Sequence, residues 1–264
     1  MGFRYGEVRD LWRRWTGLGK PRPESRAARG PVSPAIVPRI LEQALRQVEL
    51  LRASGRDLQG ATVLEIGTGS APVVPLIYSL AGGDDIILVD HVRTLDLDLL
   101  VRTAFNLRGH SREISARLDL PERDVLQRLR VVDDETVFAV LRQFHMQYLA
   151  PYDLLEATLP DHGVDYVTGS DLMQQFTPRY LRAMMPVIGR LLRPEGLFCH
   201  CVDRADRLGA VTLLRESGFD IVSEATEPVL RVVTGDEPAA LRTTPPDSFL
   251  LASWRGGALR ADER

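Results

Sequence analysis

The sequence predicts a single α/β domain built on a doubly wound, mostly parallel sheet of seven strands. Three observations predict this fold class: short apolar runs alternate with segments of helical periodicity, glycines follow the first run directly, and the chain of 264 residues can bury a large core. Strands that alternate with helices form parallel sheets because the crossover helices cover both faces. We therefore expect ligands to bind at the carboxyl ends of the strands.

The first half of the chain begins its regular structure with an amphipathic helix. Apolar residues recur at helical spacing from Ser33 to Ser54, where Ser33 is placed as a cap and Gly55 as a stop. A short apolar run and a glycine turn come next, and these patterns predict the first strand and the loop that follows it. The predicted elements are strands at 61–66, 86–90 and 144–149 and a helix at about 72–80.

The second half of the chain continues the alternation of strands and helices. A breaker pair in Arg193-Pro-Glu-Gly196 ends a helix and is expected to return the chain to the sheet. A Pro-rich loop without helical periodicity precedes the last strand, which predicts an antiparallel final strand. The predicted strands are 164–168, 197–202, 219–223 and 248–254, and the predicted helices are 178–192 and 210–217.

The segment between the second and third strands is longer than a plain crossover needs. Residues 92–143 are therefore predicted to be a helical insertion, with helices at 95–107 and 122–142. Residues 1–58 are predicted to form an N-terminal helical arm and a helix packed on the core, and residues 59–264 the main domain. We expect the arm and the insertion to cover the carboxyl edge of the sheet.

Composition and charge narrow the class of protein. The net charge is -3 and the pI is about 6.0, so the chain lacks the basic bias of a protein that binds phosphate backbones, and no nucleic acid is expected. The first 30 residues carry eight basic and three acidic side chains, which fits a solvated surface or a site for an acidic group. The apolar run 71–83 is too short to span a bilayer, so we expect no membrane span. The two cysteines give no sign of a disulfide framework, so we expect a cytoplasmic protein.

The cysteines give no sign of a metal site. Cys199 and Cys201 stand two positions apart on a predicted strand, so both side chains point the same way. A metal pair is conceivable, but no second pair of Cys or His ligands accompanies them at a suitable spacing. Buried reduced thiols and no bound metal are the expectation.

The strongest functional signal is Val63-Leu-Glu-Ile-Gly-Thr-Gly69. The two glycines let the backbone approach a ligand closely, and Glu65 suits a cationic ligand better than a pyrophosphate. A dinucleotide fingerprint would require a third glycine where Pro72 stands. Asp90 ends the next strand, where a carboxylate can accept ribose hydroxyls. The alternative is that Glu65 braces the loop and Asp90 is a turn residue.

With these residues, the chain resembles a class I S-adenosylmethionine (SAM) dependent methyltransferase over roughly residues 33–255. Segments 164–170 and 191–196 are similar to the family's fourth-strand motif and to the turn before its fifth strand. The resemblance implies a Rossmann-like fold with an antiparallel last strand, SAM as cofactor and S-adenosylhomocysteine as product. By the same resemblance, Ala150 and Pro151 are candidates for packing against adenine. The expected cofactor-binding residues are Glu65, Gly67, Thr68, Gly69, Asp90, His91, Ala150, Pro151 and Ser170.

The resemblance implies methyl transfer to an oxygen or nitrogen of a small metabolite, such as a sugar or a natural-product intermediate. His200 is a candidate base at the end of the fifth strand, with Asp203 able to orient its ring, and Asp171 is a candidate for holding an acceptor hydroxyl. The alternative is that His200 is a hydrogen-bonded structural histidine at the strand end, and methyl transfer by positioning alone requires no base. A non-catalytic binding or scaffold protein and an RNA methyltransferase remain alternatives, and a homodimer stays open.

Overall fold

The computed structural model describes residues 36–69, 71–131, 136–156, 158–170, 176–203, 207–226 and 247–254. These residues form a seven-stranded sheet of order β3-β2-β1-β4-β5-β7-β6. The first five strands pair in parallel, and β7 runs antiparallel to both β5 and β6. The predicted fold class, including the antiparallel last strand, is confirmed.

The strands and helices lie close to their predicted positions. The strands are β1 (Thr62–Ile66), β2 (Asp85–Val89), β3 (Met146–Leu149), β4 (Val164–Ser170), β5 (Leu192–Asp203), β6 (Phe219–Thr226) and β7 (Asp247–Trp254). The helices are α1 (Val37–Ala53), α2 (Val73–Leu80), α3 (Leu97–Arg108), α4 (Ser111–Leu118), α5 (Glu122–Arg128), α6 (Val137–Gln143), α7 (Pro178–Leu191) and α8 (Arg207–Glu216). In the described part of the chain, no helix combines the length and apolar content needed to cross a membrane.

Helix α1 follows the predicted amphipathic pattern. Its buried apolar residues, including Leu41, Leu45 and Val48, recur at helical spacing and enter the core. Ser54 ends the helix and Gly55 follows with φ of 78°, a conformation that glycine adopts without strain. The predicted stop is therefore confirmed, whereas the predicted cap Ser33 and the arm, residues 1–32, lie outside the described residues.

Two hydrophobic cores cover the two faces of the sheet. Val63 and Cys199 face the first core, which includes apolar residues of α1 to α6. Leu64 and Phe198 face the second core, which includes apolar residues of α7 and α8. Strand alternation thus assigns each strand-end side chain to one of two sides, and neighbouring residues in sequence point to different sides.

Both cysteines point to the same face of the sheet, as predicted. Cys199 lies in the first core, and Cys201 packs with Leu50 of α1 and Phe249 of β7. Both thiols are buried. Burial raises the pKa of Cys199 to about 12, so the thiol stays protonated and is a poor nucleophile.

The insertion packs beside α1 and α2, which corrects two expectations. The predicted continuous helix over 122–142 is wrong, because α5 ends at Arg128 and α6 begins only at Val137. The Arg128 guanidinium donates to the carbonyls of Ser79 and Leu80 at the end of α2, toward the amino edge of the sheet. Apart from its first residues, the described insertion therefore covers a face of the sheet and not its carboxyl edge.

An ion-pair cluster fixes the insertion to α1. Arg117 of α4 pairs with Glu42 and with Glu49, the latter at 2.6 Å. In return, Arg52 of α1 donates to the carbonyls of Arg117 and Leu118 at the end of α4. Cations at the end of a helix stabilise its unpaired carbonyls, so the two helices brace one another.

The segment 193–196 differs from its predicted role as a separate turn. Strand β5 begins at Leu192, directly after α7, and its pairing with β4 shifts from Val164↔Leu192 to Tyr166↔Leu197. Glu195 has φ of 67° within this segment. The Pro and Gly residues therefore produce an irregularity inside the strand, where extra residues are accommodated without ending the pairing.

Candidate cofactor site

The candidate site lies where strand order reverses direction. β1 lies at the centre of the sheet, with β2 on one side and β4 on the other. The loops that leave adjacent strands at such a point diverge to opposite sides and open a crevice at the carboxyl edge. Glu65, Gly67 and Gly69 on β1 and its loop, and Asp90 after β2, all lie at this point.

The glycine loop has a backbone that side chains would strain. Gly67 and Gly69 have φ of 79° and 63°, and the Gly67 N–H donates to the carbonyl of Val89 at 2.9 Å. Within the described part of the molecule, a Cβ placed on Gly67 would meet nothing within 4 Å. The loop thus borders open space at the crevice, where a ligand can approach the backbone.

Glu65 is a buried carboxylic acid beneath this loop. Its side chain is 4% exposed, and the Thr68 hydroxyl donates to its Oε2 at 2.9 Å. The pKa of Glu65 is raised to about 8, mainly by burial; the Thr68 hydrogen bond acts to lower it, and the nearby Asp90 carboxylate adds a smaller rise. At neutral pH Glu65 therefore holds a proton until a positive charge replaces it.

Asp90 accepts hydrogen bonds from three elements. Its Oδ1 receives the Gly69 N–H at 3.4 Å, and its Oδ2 receives the Tyr148 hydroxyl at 3.1 Å and lies 3.3 Å from the Thr94 hydroxyl. The pKa of Asp90 is raised to about 6 because the effect of burial exceeds the opposing effect of these hydrogen bonds. Asp90 is thus mainly ionised at pH 7 and links the glycine loop, β3 and the start of the insertion.

Ala150 and Pro151 lie beside Asp90, at the carboxyl end of β3. Tyr152 N–H donates to the Asp90 carbonyl at 2.8 Å, and the Arg93 guanidinium donates to the Ala150 carbonyl at 3.3 Å. The Ala150–Pro151 peptide bond is cis, Ala150 is buried and Pro151 is exposed. The structure therefore brings both predicted residues to the same edge as the two carboxylates.

An aromatic cluster that the sequence did not predict surrounds His91. Phe176 and Tyr180 stack with centroids 4.7 Å apart, and His91 meets both rings edge-on at 5.5 and 5.8 Å. The Tyr180 hydroxyl donates to Asp153 Oδ1 at 2.8 Å and lies 3.3 Å from His91 Nε2. The only sequence signal for Tyr180 is its place in the first turn of the helix after β4.

A second unpredicted group is a buried polar network below Glu65. Thr168, the pairing partner of Glu65 on β4, donates to Gln47 Oε1 at 2.9 Å, and the Tyr78 hydroxyl donates to the same oxygen at 2.7 Å. Gln47 is fully buried on the core side of α1. The sequence signal for this network was a glutamine, Gln47, at an apolar position of the amphipathic helix α1.

His200 lies on the other face of the sheet from Glu65 and Asp90. It is 0% exposed and its ring stacks on Phe198, with centroids 5.6 Å apart and planes 12° apart. Among described residues, neither ring nitrogen has a hydrogen-bond partner of standard geometry. Burial lowers the pKa of His200 to about 4, whereas the backbone of Gly169 acts in the opposite direction. The imidazole is therefore neutral at pH 7.

The remaining predicted residues are only partly described. Ser170 ends β4 and pairs with Cys201, and Asp203 ends β5 opposite Asp247, so both backbones reach the carboxyl edge. Asp171 lies outside the described residues, as do residues 172–175. Their roles stay predictions.

Comparison with known proteins adds a likeness of fold. No protein-family model matches the chain, and no curated protein sequence matches it. Its structure is similar to magnesium protoporphyrin IX methyltransferase from Synechocystis with bound SAM, at 14% identity and a TM-score of 0.48, covering 94% of this chain and 91% of that one. It is also similar to a SAM-dependent methyltransferase from Mesorhizobium loti, at 14% identity and a TM-score of 0.47, covering 80% and 99%.

A third solved structure is a TehB-like SAM-dependent methyltransferase from Corynebacterium glutamicum. It is 12% identical with a TM-score of 0.44, and the match covers 83% of this chain and 100% of that one. Likeness at this level concerns the arrangement of strands and helices, and function must be argued from the site.

Proposed function

We propose that this protein is a SAM-dependent methyltransferase. The observation that carries the proposal is the pair of buried carboxyl groups, Glu65 and Asp90, at the carboxyl ends of adjacent strands, joined through the Gly67–Gly69 loop. SAM carries an ammonium and a sulfonium charge on a nucleoside, and a buried carboxylate stabilises a cation that displaces its proton. The residues at the site therefore fit the cofactor.

Each group has a separate role in this proposal. Asp90 accepts a ribose hydroxyl, Glu65 supplies negative charge toward the cationic methionine part, and the glycine loop lets the cofactor approach the backbone. Ala150, Pro151 and His91 border the base, and Thr68 and Ser170 lie beside the methionine part. SAM supplies the activated methyl group, and S-adenosylhomocysteine is the product.

The acceptor is proposed to be an oxygen or nitrogen of a small metabolite, held near Ser170 and Asp203, which end β4 and β5. Because the sulfonium already activates the methyl group, alignment of the acceptor can supply most of the acceleration. The buried, neutral His200 supports a mechanism that depends on alignment, with Asp171 and Asp203 as the groups able to hold an acceptor hydroxyl. A base is needed only where the acceptor must lose a proton.

Calorimetric titration of the ligand-free protein with SAM and with S-adenosylhomocysteine tests the proposal. We expect both to bind, and we expect Asp90→Asn to weaken binding by about tenfold or more through loss of a charge-assisted hydrogen bond. Asp98→Asn is the matched control, because Asp98 is an exposed aspartate that pairs with Arg102 on α3. The proposal is wrong if neither ligand binds the unaltered protein at millimolar concentration.

A further inference from the structure

Tyr148 contacts Asp90 in a way that fixes the direction of their hydrogen bond. Tyr148 lies on β3 opposite Leu88 of β2, and its hydroxyl reaches Asp90 Oδ2 at 3.1 Å. The same hydroxyl oxygen lies 3.0 Å from the Thr94 backbone nitrogen and 3.3 Å from that of Leu95. Both backbone N–H groups can only donate. The other acceptors near the hydroxyl, the Val92 carbonyl and the Thr94 hydroxyl oxygen, lie farther away at 3.4 Å, so the tyrosine proton is directed mainly to the carboxylate.

Thr94 strengthens this assignment. Its hydroxyl lies 2.9 Å from the Gly69 carbonyl and 3.3 Å from Asp90 Oδ2. A hydroxyl has one proton, so the shorter contact to Gly69 leaves Tyr148 as the main side-chain donor to Oδ2. Asp90 Oδ1, in contrast, has only the long 3.4 Å bond from the Gly69 N–H among the contacts that the described residues make with it.

We infer that Tyr148 is a positioning residue for the cofactor: it holds Asp90 Oδ2 by its hydroxyl and leaves Oδ1 to accept a ribose hydroxyl. This role rests on the proposed function, since it names the ligand group that Oδ1 receives. The first residues of the insertion thereby contribute to the site, because Thr94 and Leu95 hold the Tyr148 hydroxyl in place. Tyr148 acts through Asp90 and needs no contact with the reacting atoms.

The charge on Asp90 depends on all the groups that face it. Glu65 of β1 is the neighbouring carboxyl group, Tyr148 faces it from β3, and His91 and Arg93 are the titratable and charged residues on the segment that follows it. Burial raises the pKa of Asp90, and the hydrogen bonds from the Gly69 N–H and the Tyr148 hydroxyl lower it, with a smaller effect from the more distant Thr94 hydroxyl. Tyr148 therefore helps to keep Asp90 ionised near neutral pH.

The experiment compares Tyr148→Phe with Tyr166→Phe. The Tyr166 hydroxyl donates at 2.8 Å to the carbonyl of Asp57, so the control also loses a tyrosine hydrogen bond but not one to Asp90. Carbon-13 NMR of labelled aspartate follows the titration of Asp90 in the ligand-free protein. Calorimetry from pH 5.5 to 8.5 follows the affinity for S-adenosylhomocysteine.

For Tyr148→Phe we expect the Asp90 titration to move to higher pH by about half a unit or more. We expect the affinity at pH 7 to fall about fivefold to tenfold, as for loss of one hydrogen bond to a charged group. Tyr166→Phe should change neither. In an Asp90→Ala background, Tyr148→Phe should no longer affect affinity, since Tyr148 acts through that carboxylate.

The outcomes separate this inference from the proposed function. If the unaltered protein binds S-adenosylhomocysteine but Tyr148→Phe shifts neither titration nor affinity, the positioning role is overturned and the proposed function stands. If the unaltered protein does not bind this ligand, the proposed function is overturned, and the role of Tyr148 with it, whatever the Asp90 titration shows.

Discussion

The backbone N–H of Gly69 donates a hydrogen bond to Asp90 Oδ1 at 3.4 Å. This contact joins the glycine loop after β1 to the carboxylate after β2, two elements that are 21 positions apart in the chain. It is long for an N–H···O bond, so a ligand oxygen that donates to Oδ1 can compete with it or add to it. The glycine loop thus contacts both carboxyl groups, Asp90 through the Gly69 N–H and Glu65 through the Thr68 hydroxyl.

Gly67→Ala and Gly55→Ala form a matched pair. The two glycines have φ of 79° and 78°, and a Cβ at either would meet nothing within 4 Å among the described atoms. Each substitution should destabilise the protein by about 1–2 kcal/mol because alanine is strained at positive φ. Only Gly67→Ala should also weaken SAM binding, since its methyl group enters the crevice. Thermal unfolding and calorimetry measure the two effects, and equal loss of SAM affinity in both variants would contradict the placement of the ligand.

SAM binding at pH 7 should release about one proton, because a cation replaces the proton that Glu65 holds at its pKa of about 8. Calorimetry at pH 7 in two buffers with different ionisation enthalpies measures the release. Glu65→Gln should abolish it, since glutamine carries no titratable proton. Binding without proton release by the unaltered protein would show that Glu65 does not face the positive charge.

The stability of the ligand-free protein should fall between pH 6.5 and 8.5. The folded-state pKa of Glu65 is raised from 4.5 to about 8, so the folded state binds more protons than the unfolded state between these values. The loss of stability therefore continues as pH rises to about 8 and levels off above it. Glu65→Gln should flatten this dependence and remain more stable than the unaltered protein at pH 8.5. Urea unfolding at several pH values tests this, and an unchanged slope in the variant would assign the dependence to other groups.

His200→Leu should stabilise the protein by about 1–2 kcal/mol. It replaces two buried ring nitrogens, which have no hydrogen bond of standard geometry among described residues, with an apolar side chain of similar size. The variant should also lack the loss of stability that His200 causes as pH falls from 6.5 to about 4. In that range the histidine is protonated in the unfolded state but stays neutral when buried in the folded state. His200→Ala is the control that leaves a cavity and should destabilise.

His200→Leu also distinguishes catalysis by alignment alone from catalysis with His200 as a general base. Once an acceptor is known, His200→Leu should keep turnover near that of the unaltered protein, because His200 is sealed on the α7 and α8 face of the sheet. Loss of a general base lowers turnover by about a hundredfold or more. A fall of that size with unchanged SAM affinity would restore His200 as the base.

Much of the fold follows from local patterns in the sequence. Apolar runs, the Gly55 stop and the glycine loop each depend on a few adjacent residues, and the structure places all seven predicted strands and the main helices near their predicted positions. The chain order of the elements was therefore sufficient for the fold class, since right-handed crossovers leave few topologies. The long helix predicted over 122–142 failed because helical periodicity does not reveal where a helix is interrupted.

The sequence by itself determined that two acidic residues and a glycine loop end adjacent parallel strands, and this placed Glu65 and Asp90 at one edge of the sheet. Only the tertiary structure decided that Tyr148 holds Asp90, that Tyr180 joins His91 to Asp153, and that His200 faces away from the carboxylates. The physical reason is that strand register and helix packing depend on contacts between distant residues. A one-residue shift in register reverses the face of every side chain on a strand, and no local pattern specifies it.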